Sequence, residues 1–249
     1  MDKKTIISII KRVLFLVFLL AMIGVVIFII KKYEVEGEKN LPYSLEKILI
    51  VSNVDGKRNE DAENIWNISL SEYNDVYVYI KNDENISEDI TIKDITLDNF
   101  KVTTKAKKGD LKLYRPTGDL NNLYTYSEQN YLESNLVFQG SKIDDLKNLE
   151  IGNKGGVMAF RTSLENLGNY TSNEDTEIVY NGSLLQKVGV NLEDIKFSMQ
   201  MDITIQTSEN VSFKGTINLD FPAGDIVTNG SSNIEITDFS NIVFKRVQK

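Results

Sequence analysis

Hydrophobic patterning divides the chain into two unlike parts. From Val13 to Ile30 every position is uncharged and almost every position is apolar. A helix at the surface of a soluble protein would carry a polar stripe, and this segment has none. At 1.5 Å per residue the helix would be about 27 Å long, close to the ~30 Å hydrocarbon core of a bilayer. The pattern therefore predicts a transmembrane helix at residues 13–30.

A cleaved signal peptide is the competing interpretation of this segment. Its apolar region normally has ~7–15 residues and ends at a small-x-small cleavage site. Here the apolar run is longer, and the residues that follow it, Lys31-Lys32-Tyr33-Glu34, offer no such site. We therefore expect a retained signal-anchor, followed by a stalk at residues 31–40.

Basic residues flank the predicted span unequally. Four of them, ending with Lys11 and Arg12, precede the span, whereas Lys31 and Lys32 follow it and are joined at once by acidic side chains. The more basic flank of a membrane helix stays in the cytoplasm. The sequence therefore predicts a single-pass protein of the cell membrane, with residues 1–12 in the cytoplasm and the C-terminal region outside the cell.

Beyond residue 40 apolar and polar positions alternate with a period of two, which is typical of strands with one buried face. The clearest example runs from Phe197 to Ile205 and resumes from Val211 to Phe221 after a short polar turn, which predicts an antiparallel hairpin. Earlier strands are predicted at Lys47–Ser52, Trp66–Leu70, Val76–Lys81, Ile90–Thr103 and Leu111–Arg115. The predicted fold class is mainly β, with an antiparallel β-sandwich-type region outside the membrane.

Local signals refine this prediction. The apolar phase shifts by one residue after Ile92, which predicts a bulge near Asp94. Asp55-Gly56 has the composition of a two-residue hairpin turn. A short helix is predicted from Ser183 to Gly189, because a serine begins the segment and a glycine ends it.

Two similar segments suggest an internal repeat. Residues 92–101 and residues 236–245 share the order of their Ile, Asp, Phe and Lys positions. This favours two related β units at 41–115 and 155–249, separated by a connector at 116–154. The alternative is a chance similarity within one large domain.

Composition excludes several kinds of function. The chain has no His and no Cys, which excludes His-based triads, cysteine nucleophiles, structural zinc and disulfides. Residues 33–249 hold 22 basic and 35 acidic side chains, and this acidic balance disfavours nucleic acid as a partner. No phosphate-binding loop is present, so no nucleotide is expected. We predict no catalytic and no cofactor-binding residues.

Carboxylates leave two alternatives open. Paired Asp or Glu side chains can hydrolyse glycosides without His, so a carboxylate-based glycoside hydrolase is the enzymatic alternative. Acidic clusters are candidate Ca²⁺ ligands, at residues 59–63, 82–84, 144–145 and 173–175. None has EF-hand spacing, which favours solvated loop charge and leaves a metal site unassigned.

Aromatic residues supply the candidate ligand contacts. Seven of the eleven tyrosines lie between Tyr73 and Tyr131, and Trp66 is close by. Aromatic faces stack on sugars and peptides, although they also cover sheets and fill cores. We therefore name Trp66, Tyr77 and Tyr79 as candidate ligand contacts.

Three segments carry a resemblance, at residues 41–51, 181–189 and 236–246. With the apolar span before them they resemble uncharacterised single-pass membrane proteins of clostridia-like Gram-positive bacteria. The resemblance implies a cell-envelope location and a β-rich outer region, and it brings no functional residues with it. We expect a non-catalytic binding or assembly module with a protein or cell-wall partner, and the alternative is a carbohydrate-binding or carbohydrate-active module.

Overall fold

The architecture comes from a computed structural model of the chain. It describes residues 3–32, 41, 43–59, 65–82, 90–117, 123–132, 136–139, 151–152, 155–173 and 177–247. The fold is mainly antiparallel β, in two sheets, preceded by one apolar helix.

Helix α1 (Lys3–Lys32) begins the described chain. Its segment Ile10–Ile29 has a mean hydropathy of 2.9 and is long and apolar enough to cross a membrane. All side chains of this segment are exposed, unlike those of a core helix. The helix extends beyond the predicted span at both ends and includes the flanking basic residues.

The rest of the described chain contains eleven strands and three short helices, joined by turns and loops. The strands are β1 (Tyr43–Asn59), β2 (Ile65–Asn82), β3 (Ile92–Thr104), β4 (Asp110–Tyr114), β5 (Leu136–Gln139), β6 (Ile151–Gly152), β7 (Gly155–Asn173), β8 (Phe197–Thr207), β9 (Ser212–Phe221), β10 (Ser232–Ile236) and β11 (Lys245–Val247). The short helices are α2 (Ser183–Lys187), α3 (Leu192–Ile195) and α4 (Ile226–Asn229), and a single 3₁₀ turn covers Glu128–Asn130.

The strands pair in two antiparallel sheets. Sheet A has the order β10-β1-β2-β7-β4, with β6 paired to β7, and sheet B has the order β11-β9-β8-β3-β5. Each sheet takes strands from both of the predicted β units, so residues 41–115 and 155–249 fold together. Whether the two ranges are related units stays a prediction.

The predicted C-terminal hairpin is confirmed. Strands β8 and β9 pair without interruption from Phe197 opposite Phe221 to Gln206 opposite Ser212. The bulge predicted near Asp94 is also present, because the pairing of β3 with β8 shifts between Ile92 and Asp94. The short helix predicted at residues 183–189 corresponds to α2.

The turn predicted at Asp55-Gly56 is wrong. Strand β1 continues through both residues, which pair with Ser71 and Leu70 of β2. A Cβ atom at Gly56 would lie 2.5 Å from Cγ2 of Ile68. The glycine therefore serves close side-chain packing within a strand rather than a change of chain direction. The two short strands predicted at residues 66–70 and 76–81 are one long strand, β2.

Both sheets contribute to one hydrophobic core. Along β2 the side chains alternate, with Val76, Val78 and Ile80 buried and the intervening tyrosines only partly buried, as the period-two pattern predicts. We call the face of sheet A that carries these tyrosines its outer face.

A row of polar side chains crosses the core side of sheet A. Ser52 Oγ donates to Asn74 Oδ1 at 2.5 Å, and Asn74 Nδ2 donates to Thr162 Oγ1 at 3.0 Å. The backbone N–H of Ala223 donates to Ser52 Oγ at 2.8 Å. This row ties the segment after β9 to the middle of sheet A, since buried polar groups need partners to offset their desolvation.

Candidate functional site

The outer face of sheet A carries a pocket of about 600 Å³. Its floor comes from β1, β2 and β7, and one wall comes from the segment 123–132. Two backbone hydrogen bonds hold this segment against β4, from Leu132 N to Leu113 O and from Arg115 N to Asn130 O, each 2.9 Å. The volume lies within the ~300–1,000 Å³ range of small-molecule sites.

Arg161 of β7 lies at the centre of this pocket. Its Nε donates to Asp75 Oδ1 at 2.6 Å and its Nη2 to Asp75 Oδ2 at 2.9 Å, a bidentate ion pair. The side chains of Arg161 and Asp75 are 12% and 13% exposed. The register of sheet A explains the pair, because Asp75 of β2 lies directly opposite Arg161 of β7.

Tyrosine rings surround the guanidinium group. Its central carbon lies 4.0 Å from the ring centroid of Tyr73 and 4.5 Å from that of Tyr124. The ring of Tyr126 is farther, at 5.8 Å, but its hydroxyl accepts a 3.2 Å hydrogen bond from Arg161 Nη1. Cation–π contacts of this kind are stabilising when they are desolvated. The positive charge is therefore already matched by one carboxylate and three aromatic rings.

Burial keeps the phenols of this pocket neutral. It raises the pKa of Tyr77 to about 12, and it also raises the pKa values of Tyr73, Tyr124 and Tyr126. Burial lowers the pKa of Arg161, but its hydrogen bonds and charge interaction with Asp75 outweigh that effect and raise it overall. At neutral pH the site therefore offers phenolic hydroxyl groups beside one compensated ion pair.

One of these hydroxyls is unpaired. Tyr124 is 6% exposed, and its hydroxyl is buried without a hydrogen-bond partner among the residues that the structure describes. A buried polar group in this state costs free energy. The buried end of Tyr124 therefore carries an uncompensated desolvation cost.

A second pocket of about 500 Å³ adjoins the first. The two share Asp55 and Tyr126 in their walls. Hydroxyl and amide side chains line the second pocket, and Asn59 Nδ2 donates to Ser69 Oγ at 3.2 Å within it. We call the two pockets together the outer groove.

The three candidate ligand contacts lie in different places. Tyr77 lines the first pocket. Tyr79 is next to it on the same face but outside the lining, with the ammonium of Lys47 5.0 Å from its ring centroid. Trp66 packs against the core on the other face of sheet A, under the guanidinium of Arg58 at 4.4 Å. Ligand contact by any of them stays a prediction.

The sequence analysis did not identify the ion pair of the groove, Asp75 and Arg161. The density of tyrosines between Tyr73 and Tyr131 pointed to this region, and Tyr124 and Tyr126 belong to it. Nothing in the local pattern singled out Asp75 or Arg161, which are 86 residues apart in sequence.

The predicted Ca²⁺ clusters lie outside the described residues, at positions 60–63, 83–84, 144–145 and 174–175. Within the part of the chain that is described, no group of three or more Asp and Glu side chains is arranged to hold a metal ion. The carboxylates of the groove have other partners. Both oxygens of Asp75 accept from Arg161, and Glu165 accepts a hydrogen bond from the hydroxyl of Tyr114.

The arrangement favours binding over proton transfer. A general acid or base needs a carboxyl group whose oxygens are open to the reacting group, and both oxygens of Asp75 accept hydrogen bonds from Arg161. Aromatic faces, neutral hydroxyls and amides instead provide the contacts by which a neutral, polar ligand is held.

Comparison with known proteins adds no further constraint on the role of this pocket. No family model, no curated protein and no solved structure matches the chain.

Proposed function

We propose that this protein is a membrane-anchored, non-catalytic ligand-binding module of the cell envelope, and that the outer groove is its binding site. Helix α1 is the membrane anchor, with the N-terminus in the cytoplasm and residues 33–249 outside the cell. The two sheets form a β-sandwich-type body. The ligand is a protein or a cell-wall component.

Three observations support the location. The apolar side chains of Ile10–Ile29 in α1 are exposed, and a bilayer would cover them. The more basic flank of α1 precedes the apolar segment. The absence of Cys agrees with a body that needs no disulfides, which is ordinary outside the cell in Gram-positive bacteria.

The single observation that carries the binding role is the Arg161–Asp75 pair inside a ring of tyrosines at the base of an open pocket. Arg161 holds the hydroxyl of Tyr126 by a hydrogen bond and packs against the rings of Tyr73 and Tyr124 before any ligand arrives. A site that is held in place in advance loses less conformational entropy on binding. The same pair engages both carboxylate oxygens of Asp75, which favours binding over hydrolysis.

A site-specific crosslink tests this role. The photoreactive residue p-benzoylphenylalanine replaces Tyr126, which is 42% exposed and lies between the two pockets. After irradiation of native membranes that contain the full-length protein, we expect a crosslinked adduct of higher mass. The same residue at Asn218, an exposed position of β9 in sheet B, is the matched control.

An adduct from position 126 that is absent from position 218 supports the outer groove as the binding site. Equal adducts at both positions, or an adduct at position 218 alone, contradict it. A second substitution gives the second measurement. Tyr77→Ala in the same protein should reduce the yield of the adduct at position 126.

A further inference from the structure

The two pockets of the outer groove follow one another along the strands. On β2 the lining runs from Tyr77 and Asp75 in the first pocket to Ser71 and Ser69 in the second. At about 3.3 Å per residue, the distance from Tyr77 to Ser69 is about 26 Å. The ring of Tyr126 marks the boundary, because it lines both pockets. The groove is therefore long enough for several units of a linear polymer.

The charges of the groove disfavour an ionic ligand. Its charged lining residues are Asp55, Lys57, Asp75, Arg161 and Glu165, which sum to one negative charge among the described residues. A polyanion needs several uncompensated cations, and Arg161 is compensated by Asp75. A cage for an organic cation needs several free aromatic faces, and the guanidinium of Arg161 already occupies those of Tyr73 and Tyr124, whereas a sugar ring needs only one face, such as that of Tyr77.

The middle of the floor offers no edge to an added peptide strand. Peptides that extend a sheet pair with a free strand edge. Strand β2, in the middle of the floor, is hydrogen-bonded to β1 on one side and to β7 on the other. The floor therefore presents side chains and no unpaired strand edge along β2.

The side chains change in character along the groove. Tyrosines dominate the first pocket, and the second adds Asn59, Ser69 and Ser71. A sugar ring has an apolar C–H face, which packs on an aromatic ring, and a rim of hydroxyl groups, which pair with hydroxyl and amide side chains.

We propose that the outer groove binds an uncharged, linear glycan, with one sugar packed on Tyr77 in the first pocket and the next sugars in the second pocket. This inference rests on the proposed binding function and specifies its ligand. Tyr126 lies between two consecutive subsites. A single sugar occupies one subsite, whereas an oligosaccharide occupies both and binds more tightly.

A glycan array tests the proposal with the full-length protein in a mild detergent. The array carries uncharged glucosyl and N-acetylhexosaminyl chains, in α and β linkage, from one to six units. We expect retention on at least one series, with an affinity at least ten-fold higher for chains of three or more units than for the single sugar. Titration calorimetry with the retained oligosaccharide gives the dissociation constants.

Three variants separate the subsites. Tyr77→Ala should weaken binding of every chain length by at least ten-fold, because it removes an aromatic wall of the first pocket. Ser71→Leu should fill the second pocket, so that long chains bind no more tightly than the single sugar while the single sugar binds as before. Tyr79→Ala is the matched control, because Tyr79 lies on the same strand and face but outside the lining. Thermal unfolding of each variant checks that it remains folded.

The outcomes test the two-subsite arrangement, the identity of the ligand and the binding function separately. Equal affinity for one and for several units contradicts the two-subsite arrangement. If no glycan is retained but Tyr77→Ala still lowers the crosslink yield at position 126, the ligand is not a glycan. The proposed binding function of the groove is then still supported. If Tyr77→Ala changes neither glycan retention nor crosslinking, the binding function itself is wrong.

Discussion

Replacing Arg161 by Met should lower the free energy of unfolding by about 3–5 kcal/mol, the cost of removing one partner from a buried ion pair. The variant leaves the carboxylate of Asp75 at a site where its side chain is only 13% exposed. It also removes the cation that Tyr73 and Tyr124 face. Urea unfolding of the full-length protein in a mild detergent, followed by the fluorescence of Trp66, measures the change.

Lys47→Met is the matched control for Arg161→Met. Lys47 pairs with Glu235 at 2.9 Å on the same sheet, but the two side chains are 31% and 49% exposed. Exposed pairs contribute little to stability because water screens them, so this variant should unfold almost as the wild type does. The double variant Arg161→Met, Asp75→Leu should recover part of the loss, because no uncompensated charge then remains. A loss below about 1 kcal/mol for Arg161→Met would show that the pair does not organise the groove.

Stability should fall as the pH rises from about 5 to 8, and Glu72 should be the main cause. Glu72 is fully buried on the core side of sheet A, and neither carboxyl oxygen has a hydrogen-bond partner among the described residues. Burial raises its pKa from 4.5 to about 8, against weaker opposing effects of the Asn74 side chain and the Leu164 backbone. No charged side chain contributes to this shift.

The direction of the pH effect follows from proton binding. Below pH 4.5 the carboxyl group is protonated in the folded and the unfolded protein, so it imposes no penalty for ionisation. Between the two pKa values the folded protein holds one proton more than the unfolded chain, and stability falls by about 1.4 kcal/mol per pH unit. Between pH 5.5 and 8 the loss is about 3 kcal/mol.

Glu72→Gln should abolish this slope, because the amide does not titrate. The control is Glu209→Gln, at an exposed position in the turn between β8 and β9, and it should keep the slope of the wild type. Urea unfolding at pH 5.5 and at pH 8 gives the free energies. An unchanged slope in Glu72→Gln would mean that the buried carboxyl group is not protonated in the folded state.

Local pattern was enough to predict β1 to β4, β8 and β9, though not their boundaries, and no strand was predicted at β5, β6, β7, β10 or β11. The alternation from Phe197 to Phe221 specified a hairpin because each residue's face is fixed by its neighbours two positions away. Asp55-Gly56 has the composition of a turn, yet the chain remains extended there, since β1 has a partner along its whole length in β2. Tertiary pairing outweighed local turn preference at this point.

The candidate site was predictable only in part. The density of tyrosines in the sequence predicted an aromatic region, and the candidate contact Tyr77 lines the first pocket. The Arg161–Asp75 pair depends on the register between β2 and β7, which no local signal reveals. Glu72 is similar, because it lies between the two segments predicted for β2, and nothing in the sequence showed that it would be buried without partners.

Cysteine labelling in intact cells tests the central claim, a ligand-binding groove outside the cell. The natural chain has no Cys, so a single introduced thiol is the only one that reacts. Lys57→Cys places it at an exposed position of the outer groove, and Asn218→Cys places it on the other sheet. Asp2→Cys, before α1, reports whether the cells are closed to the reagent.

With a membrane-impermeant maleimide, cysteines at positions 57 and 218 should react in intact cells, and the one at position 2 should react only after permeabilisation. The thiol at position 57 should also react at least five-fold more slowly on cells than in the purified full-length protein, because the groove is occupied there, while position 218 reacts equally in both. Labelling of position 2 alone in intact cells, or equal rates at position 57 on cells and in purified protein, would contradict the account.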